Sequence, residues 1–137
     1  MSPERQPRRP PLDEDGITIR SLALRFPSGH EVAPHAHPWG QLVYATEGVM
    51  TVTTPVGDWV VPPSRAAWVP ADTEHSIRAT DRVHLRTLYV RPDLTGTLPR
   101  DCRVLAVSAL LRELILATLE VGYLHERIPE QARLAGV

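Results

Sequence analysis

The chain has 137 residues, the scale of one domain with room for a real core. Its formal charge is −1 and its fifteen basic residues are all Arg, scattered along the chain, which gives no electrostatic case for this chain gripping nucleic acid. The single cysteine, Cys102, excludes an intrachain disulfide and points to a reducing, cytoplasmic setting, and without an 18-residue apolar run or a signal-peptide core no membrane role is expected.

Residues 1–15 carry four prolines and many charges with almost nothing apolar. Such a segment cannot bury enough surface to offset its ordering entropy, so a disordered N-terminal arm is expected. From Ile17 the pattern turns to period two or to short apolar runs. Strands are predicted at Ile17–Phe26, Glu31–His37, Gln41–Thr46, Val49–Thr54, Asp58–Val61, Ala66–Val69, His75–Ala79, Val83–Val90 and Arg103–Val107. Gly- and Pro-bearing turns separate them. Many short strands at even spacing predict an all-β sandwich or barrel over 16–107, and closure would remove exposed edges.

After residue 107 the period changes. Ser108 is a predicted N-cap, and Leu111, Leu114, Ile115 and Leu119 follow at helical spacing. Leu110, Leu116, Val121 and Leu124 widen the apolar stripe beyond one packing face. Part of it is expected to pack on the barrel and the rest to pair with a second copy, giving a homodimer through the 108–124 helix. Gly122 and Pro129 end that helix, and Pro129 opens a second one that has barely begun at Val137. The 108–137 tail is therefore expected to be cut short of a further domain.

Gly29 to Gly48 carries the chemistry. His35 and His37 are two apart, so on a strand both imidazoles leave one face, and Gln41 keeps that parity. His75 opens a later strand after a turn containing Pro70. Three imidazoles and an amide oxygen would suit a divalent transition metal: Zn, Ni, Fe or Mn. The donor set is neutral, so an anion, carboxylate or hydroxide would be drawn to any open position. It also lacks the carboxylate of the two-histidine, one-carboxylate oxygenase triad. The bland alternative is a polar barrel lining that holds waters. Trp39, Trp59 and Trp68 are candidates for lining an effector pocket, against the alternative of plain core. Tyr44 has opposite parity to Gln41 and is expected to face away. His84 and Arg86 share a strand face expected to be exposed, His30 and His125 are expected in solvated loops, and Cys102 has no neighbouring base.

At these residues the chain resembles the cupin superfamily. Gly29, His35, His37, Gln41 and Gly48 fall in the register of the first cupin motif, with Gln41 where Glu is usual. Pro70 and His75 match the second motif, while Ser64 and Asp72 stand in place of glycines and Arg78 in place of Asn. The resemblance implies a double-stranded β-helix barrel followed by C-terminal helices, with metal ligands at His35, His37, Gln41 and His75. Segments 37–44, 66–70, 85–90 and 110–115 further resemble the N-terminal sensor domain of AraC-type transcription regulators. That likeness implies a small-molecule effector, dimerisation through the following helices, and DNA reading by a domain absent from this chain.

The leading expectation is thus an effector-sensing and dimerisation domain, not an enzyme. The alternative is a stand-alone metal-dependent cupin enzyme, an oxygenase, isomerase or lyase acting on a small organic acid. No general base stands beside the ligands to favour it, though Glu74 adjoins His75. A purely structural dimerisation module with a dry barrel is the third.

Overall fold

In the computed structural model, which describes residues 16–136, the alternating segments form ten strands. They are β1 (Ile17–Phe26), β2 (Glu31–His35), β3 (Gly40–Glu47), β4 (Met50–Thr54), β5 (Gly57–Val61), β6 (Arg65–Val69), β7 (His75–Ala79), β8 (Val83–Val90), β9 (Arg103–Ala106) and β10 (Tyr123–His125). One sheet has the order β10-β1-β8-β3-β6-β9 and the other β2-β7-β4-β5. Every pairing is antiparallel. All nine predicted strands are present within two residues at each end, and the mostly-β class with C-terminal helices is as expected. The expected N-terminal arm lies outside the described residues.

The pleat sorts β3 and β8 into two cores. Val43 and Ala45 of β3 join Val83 and Leu85 of β8 in a cluster between the sheets, with Met50, Val52 and Ile77 from the smaller sheet. Leu42 and Tyr44 point the other way and pack with Leu88, Val90 and Ile115. Tyr44 therefore faces away from Gln41, as parity predicts. Burial on both faces is why these strands read as apolar runs and not as strict alternation. Between β3 and β4, Gly48 has φ +89°, and a Cβ there would strike the Arg82 carbonyl. Only glycine fits that turn.

The outer face of the larger sheet is covered by α1 (Ala109–Val121). The Ser108 hydroxyl accepts from the Leu111 N–H at 3.1 Å, which caps the helix. Gly122, at φ +92°, ends it. The predicted 108–124 helix is thus shorter: Leu124 lies in β10, which pairs with β1 through Ile19. A three-residue strand is too short to show a period of its own, and its leucine fitted the helical stripe by coincidence. Leu111 and Leu119 turn toward the sheet. Leu110 is 67% exposed and Val121 48%, so the outward apolar stripe is Leu110, Ala117 and Val121. A 3-10 turn, Pro92–Leu94, and the helix α2, Pro129–Ala135, complete the described chain.

The strand predicted to run to His37 stops at His35. His37 lies in the connection to β3, because Pro38 disfavours regular continuation at the residue before it. Pro34 is tolerated because β2 is an edge strand.

Candidate metal centre

The shared-strand argument for His35, His37 and Gln41 does not hold, yet the side chains meet. His35 and His75 form a cross-strand pair on β2 and β7. Their ring centroids are 4.2 Å apart. His37 comes from the connection that carries the chain between the sheets. Gln41 comes from the first turn of pleat in β3, on the facing sheet. Ligand nitrogens of His35, His37 and His75 all lie within 4.8 Å of one another. His37, Gln41 and His75 are buried.

Hydrogen-bond polarity gives this cluster its meaning. Each ring sets Nδ1 against a main-chain carbonyl: His35 against Ala33 at 2.9 Å, His37 against Trp39 at 2.8 Å, and His75 against Thr73 at 2.8 Å. A carbonyl only accepts, so Nδ1 carries the hydrogen and Nε2 of a neutral ring keeps its lone pair. The Gln41 amide nitrogen donates to Thr87 Oγ1 at 2.9 Å, and that hydroxyl donates to the Leu42 carbonyl at 2.9 Å. Thr87 uses its only hydrogen on Leu42, so it must accept from Gln41. This fixes the amide with its oxygen toward the histidines. Gln41 Oε1 lies 2.9 Å from Nε2 of His37 and 2.9 Å from Nε2 of His75.

Burial holds the His75 imidazole down at about 4, with His35 and His37 adding to the depression against a raising hydrogen bond to Thr73. His75 is then neutral at pH 7. Either neutral tautomer leaves it one contact of acceptor against acceptor. A cation among the lone pairs of His35, His37, His75 and Gln41 relieves that conflict, so the residues present fit a divalent transition metal. The backbone carbonyls on Nδ1 are the usual outer support of a ligating histidine.

Further residues shape the site. Asp72 adopts φ +63° in the turn before His75, and its N–H donates to the His37 carbonyl at 2.8 Å. The turn thereby ties the two histidine segments together. Tyr89 meets the His37 ring edge-on at 5.2 Å, and burial pushes its hydroxyl up to about 12. Sequence reasoning missed Thr87, Tyr89 and Asp72. The usable signal for Thr87 was an aliphatic hydroxyl following Val83 and Leu85 on the inward face of β8.

Space around the site is uneven. Beneath His35 and Gln41 the barrel leaves only about 10 Å³. Beside His75 a cleft of about 330 Å³ opens, lined by Pro34, Thr53, Pro55, Glu74 and Ser76 among others. The tryptophans do not converge on it. Trp39 packs with Ile17 and Tyr89. Trp59 lies against the inter-sheet core, and Trp68 lies under α1's cluster, its Nε1 donating to the Pro99 carbonyl at 2.7 Å. A Cβ on Gly40 would collide with the Trp68 ring, so Trp68 is a packing residue. His84 is half-buried beside Glu47, with Nδ1 3.3 Å from its carboxylate, and burial raises the Cys102 thiol to about 11.

Two facing antiparallel sheets with a histidine cluster at one mouth define a cupin-type barrel, and solved structures agree. A cupin superfamily protein from Desulfitobacterium hafniense superposes with a TM-score of 0.50 at 19% identity, covering 54% of this chain and 68% of that one. ToxT from Vibrio cholerae O395, bound to (E)-4-(8-methylnaphthalen-1-yl)but-3-enoic acid, gives 0.58 at 9% identity, covering 87% of this chain and 54% of ToxT. Those likenesses concern the fold alone. Residues 22–134 match the AraC-like ligand binding domain, and the chain belongs to that family. The HTH-type transcriptional regulator NimR of Escherichia coli (strain K12) is 42% identical over 82 residues, which cover 60% of this chain and 30% of NimR. The chain thus spans under a third of that relative's length.

Proposed function

We propose that this chain is the effector-sensing and dimerisation part of an AraC-type transcription regulator acting in the cytoplasm, with DNA read by a domain outside it. The match to the AraC-like ligand binding domain over residues 22–134 carries the reading. The 42% identity to NimR, a transcriptional regulator, supports it over the enzyme alternative. Among the described residues, no helix is long and apolar enough to cross a membrane.

His35, His37, His75 and Gln41 would hold a divalent transition metal such as Zn, Ni, Fe or Mn. When bound, the metal supplies a positive Lewis-acid centre that attracts an anionic or oxygen-bearing ligand group. Thr87 holds the Gln41 oxygen in place, and the Nδ1 contacts fix the three rings. The effector would enter the cleft beside His75, where Thr53 and Ser76 offer hydroxyls. Glu74 sets a carboxylate on that cleft and opposes anions unless the metal offsets it. The dimer would form through Leu110, Ala117 and Val121, a stripe at i, i+7 and i+11 on one side of α1. Trp39, Trp59 and Trp68 pack in three separate clusters away from that cleft and are not proposed as effector contacts.

The test is binding of small carboxylic and hydroxy acids to metal-loaded and chelated chain, followed by calorimetry and by product analysis. Saturable binding that needs metal and leaves the ligand unchanged is the expected result. Turnover would instead establish the metallo-cupin enzyme, and binding by chelated chain alone would remove the metal from the sensor.

A further inference from the structure

A second cavity lies on the opposite face of the larger sheet from the histidines. Leu88 and Val90 of β8 form its floor, Leu111 and Ile115 of α1 one wall, and Leu134 of α2 another, with Leu98 at the rim. Its volume is about 210 Å³. No charged side chain lines it, and its polar side chains are Thr97 and Thr118. The Thr118 hydroxyl is already committed, donating to the Leu114 carbonyl at 2.8 Å. Nothing in the walls therefore selects for charge, and little selects for hydrogen bonding.

The pocket is open on one side, so a small molecule can enter it without unfolding the chain, and covering its apolar walls removes apolar surface from water. An apolar cavity of about 150 Å³ is enough to take up benzene. We propose that this cavity is a binding site for a small uncharged apolar molecule, on the scale of one aromatic ring or a short hydrocarbon chain. The site exists only while α1 and α2 lie on the sheet, since strands supply the floor and helices the walls. A bound molecule therefore favours the docked arrangement of the tail by its differential affinity for that arrangement. The site is independent of the metal, although Thr87 and Leu88 are neighbours on β8 that face opposite ways.

The experiment is thermal melting of the 137-residue chain with toluene and, separately, with benzoate, alongside methyl NMR of Leu88, Val90 and Ile115. Toluene is expected to raise the melting temperature by roughly 2–4 °C near saturation and to shift those methyls. Benzoate is expected to leave these methyls unmoved. Ala135→Leu, which fills the cavity from α2, should abolish the toluene response. If that variant fails to fold, Leu98→Phe at the rim serves the same purpose. His75→Ala should leave the toluene response intact. Absence of both the melting and methyl responses in the unaltered chain would overturn the proposal. So would equal methyl shifts with benzoate, or loss of the response in His75→Ala, which would put the molecule in the histidine site.

Discussion

Gln41 shows how a single amide end decides what a site can hold. Its oxygen faces two histidine Nε2 atoms because Thr87 can only accept from its nitrogen. Thr87→Val keeps the shape but removes that acceptor, freeing the amide to flip. Metal affinity is expected to fall roughly 10–100-fold by isothermal titration, as for loss of other outer-shell partners, and Thr87→Ser should restore most of it. Unchanged affinity in Thr87→Val would mean that the amide is held otherwise. His75 gives a prediction in pH. Its folded value, about 4, lies below its ordinary 6.5. Between those values the unfolded chain binds the proton and the folded chain does not, so unfolding is favoured as pH falls. Metal-free chain should lose about 1–3 kcal/mol as pH drops from 6.5 to 4, read by denaturant melts, and His75→Gln should flatten that slope. That the side chains of His35, His37, Gln41 and His75 come together was expected from the sequence, but by an argument that the structure replaces. Parity assumed one strand; the chain instead joins an edge strand, a connection and a facing sheet. Thr87 was hidden because its role depends on strand β8 lying beside β3, which is a long-range pairing.

At the scale of elements, strands were legible because alternation and Gly/Pro turns are local signals. The strand β10 was not, since three residues cannot carry a period and its place is set by pairing with β1. The end of α1 was legible in Gly122, whose φ of +92° favours glycine. A Cβ there meets nothing within 4 Å, so Gly122→Ala should cost only the backbone strain, about 1–2 kcal/mol in a denaturant melt. A neutral result would mean that the helix end relaxes. The two sides of α1 also make separable predictions. Leu110→Glu on the outward stripe should yield a folded monomer by sedimentation, whereas Leu111→Glu should destabilise the fold, because that side chain packs with the cluster beneath the helix. A dimer surviving Leu110→Glu together with Val121→Glu would place the interface elsewhere.

Over the whole molecule, one sheet separates two environments. Its inner face carries Gln41 and Thr87 toward the histidines, and its outer face carries Leu42 and Leu88 toward α1. The proposed effector cleft and the helical tail would then lie on one connected body, and coupling between them would further require two arrangements of the tail that the effector binds unequally. Barrel and tail were both visible in the sequence, whereas the filled interior and the cleft beside His75 depend on side-chain volumes that only packing reveals. The central claim is that His35, His37, Gln41 and His75 hold a metal. The most direct measurement is the metal content of the folded chain after dialysis against each of Zn, Ni, Fe and Mn, compared with a His35→Ala/His75→Ala variant of equal folded content by circular dichroism. Near one metal ion per chain, lost in the variant, is the predicted result. Stoichiometric metal retained by the folded double variant, or none bound by the unaltered chain, would contradict it.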